Sequence, residues 1–110
     1  MGLLTPSPPS WHPAPEKLRS LTRDAGDLCA KQGWESGLPN VALGYSYRKS
    51  SELEVPMVVG LSQLREVHET VKVWRELKAQ NAEETQRRST LEKLVHESFG
   101  DEQGYSWASP

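Results

Sequence analysis

A single cysteine, one phenylalanine and no long apolar run mark what this 110-residue chain does without. One cysteine excludes an internal disulfide and fits a reducing compartment. No stretch approaches the roughly 20 apolar residues that a membrane helix needs. The start lacks a basic region followed by an apolar one, so no secretory signal is expected. Met-Gly opens a myristoylation-like motif, but Pro6 stands where Ser or Thr is wanted. Basic residues are not in excess: 13 Lys and Arg face 15 Asp and Glu, for a net charge of -2. Without a basic field, nucleic acid and anionic membrane are not expected partners. Together these absences predict a cytoplasmic protein. Hydrophobic residues are 35% of the chain and the mean hydropathy is -0.67, which allows one small domain at most.

What the chain does have is concentrated in residues 55–70. Val55, Met57, Val58 and Val59 make a short apolar run rich in β-branched residues, which predicts a strand. Gly60 breaks it, and Ser62 is a good N-cap. Leu64, Val67, Val71 and Trp74 then recur at helical spacing. Strand, glycine turn and helix are half of a βαβ unit, and the free N–H groups at the start of such a helix can hold a phosphate. The same pattern also describes an ordinary βα turn with no ligand.

On either side, the chain reads as helices. Pro6, Pro8, Pro9, Pro13 and Pro15 exclude helix and sheet from residues 1–15 and predict an extended arm, disordered in isolation or serving as a proline-rich ligand. A helix over 16–32 has Leu18, Leu21, Ala25, Leu28 and Cys29 on one stripe, with Gly33 to end it. A second helix is expected over 39–49, with Val41, Ala42 and Tyr45 inward. After a stretch at 79–84 that reads as a polar break or a helix continuation, a last one over 82–98 carries Leu91, Leu94, Val95 and Phe99, stops at Gly100, and has a first half through Arg87 and Arg88 that reads as solvated. Residues 101–110 form a polar tail.

Several amphipathic helices and one strand do not make a sheet. A buried strand must pair on both sides, because its unpaired N–H and C=O groups are otherwise left unsatisfied. The physical expectation is a piece of a larger α/β fold, or a chain that needs a partner to complete one.

That expectation meets a recognisable pattern. Residues 1–16, Met-Gly-Leu-Leu-Thr-Pro-Ser-Pro-Pro-Ser-Trp-His-Pro-Ala-Pro-Glu, resemble the segment after the seventh barrel strand of aldo/keto reductases. The likeness is to the branch of the D-arabinose and L-galactose dehydrogenases. Residues 37–48, Gly-Leu-Pro-Asn-Val-Ala-Leu-Gly-Tyr-Ser-Tyr-Arg, are similar to that family's seventh helix, and residues 55–70 to its eighth strand, cofactor loop and eighth helix. The resemblance implies an α/β fold: a partial (β/α)8 TIM barrel, mostly helical as an isolated chain, from a parent of about 250 residues. Residues 1–15 would follow barrel strand seven, 16–78 would supply the last helices and strand eight, and 79–110 a C-terminal helical extension.

It also implies NAD or NADP as the parent's cofactor, with no metal. Carried over by position, the backbone of Gly60 and Leu61 and the Ser62 hydroxyl meet phosphate or ribose. Glu69 accepts from the adenine amino group, and Thr70 stands where many members have Asn. Glu66 departs from the family, in which NADP-dependent members place Arg or another donor near this point. A carboxylate repels a 2′-phosphate and accepts from a free 2′-hydroxyl, which favours NAD; Arg65 beside it is the group that could restore NADP binding, and Glu66 reads equally well as a first-turn carboxylate favoured by the helix dipole.

The family's catalytic Tyr, Asp, Lys and His come from earlier strands. Tyr45, Tyr47 and Tyr105 do not match the catalytic position, so no catalytic residue is assigned and the chain alone is expected to be inactive. His12, His68 and His96 have no metal-ligand spacing, and Cys29 lies on an apolar stripe as an inert thiol. The leading expectation is the C-terminal portion of an NAD(P)-dependent aldo/keto reductase acting on a CH–OH group. Its apolar faces, through Val58, Val67, Val71 and Trp74, would be left exposed and able to associate with other chains. The alternative is a small helical interaction module with a proline-rich arm.

Overall fold

The computed structural model describes residues 2–108, and among these it contains helices and no strand. The four α-helices are α1 (Glu16–Lys31), α2 (Gly37–Glu52), α3 (Leu64–Ala79) and α4 (Ala82–Ser98); 3-10 turns lie at Gly2–Leu4 and Gly100–Glu102. α1 and α4 start and stop where the sequence predicts. Pro15 pre-sets the extended entry to α1, and Gly33 leaves it at φ +69, a conformation that costs glycine no steric strain. Asn81 and Glu84 form a reciprocal cap at the start of α4: Asn81 Oδ1 accepts from the Glu84 N–H at 2.9 Å, and Glu84 Oε2 accepts from the Asn81 N–H at 3.0 Å.

The strand expected over 55–59 is not formed. That segment is irregular, Val58 is 95% exposed, and Val55 is exposed beside it. A strand is stabilised by hydrogen bonds to neighbouring strands, and no other described segment supplies one. Of the expected fold, the helical part is present and the barrel strand is not.

α2, not the 55–70 stretch, is the middle of the molecule. It packs on α1, α3 and α4. The core joins Ala25 and Cys29 of α1, Leu38 and Val41 of α2 and Leu91 of α4, with Leu4, Trp34, Val95 and Phe99 packed around them. α2 begins two residues before its expected start and runs to Glu52. Its inward face is Leu38, Asn40, Val41, Leu43 and Gly44, whereas Tyr45, expected inside, is exposed. A helix packed on three sides has no single apolar stripe to read.

The largest departure concerns α3. Its apolar stripe faces outward: Leu64 is 70% exposed, Val67 39%, Val71 40% and Trp74 49%. Glu66, Thr70 and Val73 are the residues it buries. Exposure of Val58, Val67, Val71 and Trp74 is what the fragment reading anticipates. The proline-rich arm also differs from expectation, because it is held rather than loose. Arg19 donates to the carbonyls of Pro8, Pro9, His12 and Ala14, and Ala14 is buried.

Candidate functional site

The start of α3 brings two of the predicted site residues, Ser62 and Glu66, together. The N-cap is Gln63, one residue later than the expected Ser62. Ser62 instead donates its N–H to Glu66 Oε2 at 2.7 Å and its hydroxyl to the same oxygen at 3.1 Å, while the Gln63 N–H donates to it at 3.2 Å. A first-turn carboxylate satisfies helix N–H groups and complements the positive dipole end. The Ser62 N–H bond, and after it the Ser62 hydroxyl and Gln63 N–H bonds, hold the Glu66 carboxyl below its ordinary pKa against an opposing burial effect. The Ser62 and Gln63 N–H groups are therefore satisfied by the chain's own carboxylate.

The other four residues are placed differently. Gly60 is exposed and open on the side where a Cβ would stand, and Leu61 is half-buried. Glu69 is exposed and pairs with Arg65 at 3.4 Å. Thr70 is buried, and its hydroxyl finds no hydrogen-bond partner among the described residues. A cleft of about 660 Å³ runs between α1, α2 and the start of α3, and both Glu66 and Glu69 line it. Gly60, Leu61, Ser62 and Thr70 do not. Four carboxylates of the lining (Asp27, Glu35, Glu66, Glu69) stand against three cations (Arg23, Arg65, Lys72). Arg23 is already bound to Glu16 at 2.6 Å and Lys72 lies 3.7 Å from Glu76. Such a lining holds no concentrated positive charge for a polyanion.

A second polar cluster escapes the sequence reading. Arg88, expected in solvent, is 4% exposed. Its Nη1 donates to the Asn40 carbonyl at 3.3 Å, and its Nη2 lies 3.4 Å from Glu76 Oε2. The guanidinium stands 4.9 Å from the Trp34 ring, with Arg87 at 5.2 Å. Trp34 Nε1 donates to Asn40 Oδ1 at 3.1 Å, and Asn40 Nδ2 donates to Glu76 Oε2 at 3.0 Å. Burial pulls the Arg88 pKa below its ordinary value, opposed by Glu76 and Glu92. Nearby, buried Glu92 accepts from Arg48 at 2.5 Å. Two signals for this cluster were present in the sequence. Arg88 lies three residues before Leu91 and seven before Val95, on the inward stripe, and Gly44 leaves the space its guanidinium fills.

Cys29 is fully buried and its thiol is pushed up by burial, the environment of an inert cysteine. Tyr45 and Tyr47 lie on α2, and Tyr105 lies in the tail beside Trp107. Among the described residues, no cluster of three or more His, Cys, Asp or Glu could hold a metal, and no helix is long and apolar enough to cross a membrane.

No protein-family profile matches the chain, and no solved structure does. Over 80 residues the chain is 36% identical to the L-galactose dehydrogenase of Arabidopsis thaliana, a match covering 72% of this chain and 24% of that protein. The chain thus spans about a quarter of the length of the curated relative it matches, and the relationship is to part of an aldo/keto reductase-type dehydrogenase.

Proposed function

We propose that this chain is the C-terminal portion of an NAD(P)-dependent sugar dehydrogenase of the aldo/keto reductase type, contributing to the cofactor's adenosine end and carrying none of the catalytic groups. The observation that carries the reading is the 36% identity over 80 residues to L-galactose dehydrogenase. Two structural features support it. The apolar segment around Val58 lies exposed without a neighbouring strand, and α3 turns Leu64, Val67, Val71 and Trp74 outward. Both are surfaces that the rest of a barrel would cover.

Gly60, Leu61, Ser62, Glu66, Glu69 and Thr70 are the candidate adenosine contacts. As folded, they fit a ribose hydroxyl better than a phosphate. The N–H groups of Ser62 and Gln63 are spent on Glu66, and its negative charge opposes a second anion. In the parent enzyme, bound nicotinamide cofactor supplies the hydride chemistry; this chain's residues hold the adenosine end and assist no proton transfer. The parent is therefore expected to prefer NAD. Dissociation constants for NADH and NADPH on the complete enzyme test this: tighter NADH is the expected result, and tighter NADPH overturns it.

A second reading, a helical interaction module using the proline-rich arm, is weakened by Arg19. That side chain already takes up arm carbonyls that a peptide-binding partner would need.

A further inference from the structure

The apolar core is made by three helices, and α3 is not one of them. It joins α1, α2 and α4, and the half-buried apolar side chains packed around it also come from outside α3. α3 packs on α2, and Val73 is the one apolar side chain it buries. Glu66 and Thr70 are its other buried residues, and the Thr70 hydroxyl has no hydrogen-bond partner among the described residues. Docking of that kind removes little apolar surface from water. Both connections are irregular: residues 53–63 form no helix, and Gln80 and Asn81 are extended.

What holds α3 besides Val73 is Glu76, whose Oε2 accepts from Asn40 Nδ2 at 3.0 Å and from Arg88 Nη2 at 3.4 Å. Parting Arg88 from its carboxylate would ordinarily strand a buried cation, at a large cost. Here a second carboxylate stands by. Glu92 is one turn further along α4, 7% exposed against 4% for Arg88, and both Glu76 and Glu92 stabilise the guanidinium charge. Arg88 Nε and Glu92 Oε1, a donor and an acceptor on the same side of α4, are both buried without a hydrogen-bond partner among the described residues. Arg48 holds the other Glu92 oxygen, which keeps that carboxylate in place. We propose that α3 is a hinged flap that undocks from a folded core of α1, α2 and α4, with Arg88 passing from Glu76 to Glu92 as it leaves. α3 begins among the residues offered above for the adenosine end, but the proposal concerns the chain's own opening and does not rest on the dehydrogenase reading.

Amide hydrogen exchange of the full chain tests it. A 16-residue helix is marginal by itself, so the amides of an undocked α3 exchange. The slowest amides of α3 should exchange at least about tenfold faster than the slowest of α1, α2 and α4. Equal protection in all four helices overturns the flap. Glu76→Gln, which weakens the catch, should speed α3 by about a further tenfold and leave the other three helices nearly unchanged. Uniform acceleration of all four would show that α3 opens only with the whole chain. Glu92→Gln separates the hand-over of Arg88 from a merely structural tie. Without the second carboxylate, opening strands the cation, so α3 should exchange more slowly even though the loss of the Arg48 bond speeds α2 and α4. If α3 is instead accelerated along with them, the passage of Arg88 to Glu92 is overturned.

Discussion

Arg88 is a charged side chain of α4 held in the interior. Its guanidinium ties that helix to the Asn40 carbonyl of α2 and to Glu76 of α3. Removing one member of a buried ion pair costs about 3–5 kcal/mol. Glu76 is 35% exposed, so water can take up part of what the guanidinium leaves behind. Arg88→Ala is therefore expected to destabilise the chain by about 2–4 kcal/mol in urea unfolding, and Arg88→Met by less, because its stem still packs. A cost of Arg88→Ala below about 0.5 kcal/mol would mean that the side chain is solvated. Gly44→Ala is a companion test. Alanine gains about 1 kcal/mol of helix propensity, but its Cβ would stand within 3.1 Å of Arg88 Cζ and closer still to Nη1. Loss of charged hydrogen bonds outweighs that gain, so a net cost of about 1–2 kcal/mol is expected. The hidden role of Arg88 has a simple origin: its position lies on the inward stripe, but a charged residue there is legible only once its partners are known.

At the scale of elements, the start of α3 is the acid-sensitive point. The Glu66 carboxyl titrates below its ordinary value of 4.5, chiefly because the Ser62 N–H donates to it. A pKa lowered by folding means that the stabilisation is complete above the ordinary carboxylate pKa and is lost as pH falls through the folded one. Glu16, bonded to Arg23, and Glu52, bonded to Lys49 and Arg48, shift the same way. Melting temperature measured from pH 7 down to about pH 3 should fall below about pH 4.5. Glu66→Gln should make that fall shallower, and an unchanged acid slope would show that its cap contributes nothing. The positions of α1 and α4 were largely legible because a proline entry and glycine exits mark them, and that of α3 because its apolar residues recur at helical spacing, whereas the Asn81 and Glu84 cap emerged only in the structure. α2 was legible in position but not in orientation. The strand expected at 55–59 is not formed, because local preference has nothing to pair against.

For the whole molecule, the outward stripe of α3 and the exposed Val58 describe a chain whose helices fold around α2 while one side stays open. Thermal unfolding followed by circular dichroism, with and without excess NADH, measures how much of a cofactor site that arrangement retains. Any ligand bound by the folded chain raises its melting temperature by mass action. The small core around Ala25, Cys29, Val41 and Leu91 predicts a cooperative but low melt. With the Ser62 and Gln63 N–H groups taken up by Glu66, NADH is expected to move it little. A large rise would mean that the adenosine site is complete in this chain alone.

The sequence by itself determined the helices, the ends of α1 and α4, the polar character of the chain and the resemblance of its central stretch, because each depends on neighbours a few residues apart. It also foresaw that the apolar stripe of α3 would lack a cover. Tertiary structure decided the rest. It placed α2 at the centre, drew Arg88 and Glu92 inside, bound the proline-rich arm to Arg19, and set the Glu66 carboxylate against the Ser62 N–H at the head of α3. These are contacts between distant segments, and their energies depend on which charges and carbonyls meet once the helices pack. Periodicity records which side chains prefer to leave water, and packing decides which of them find somewhere to go.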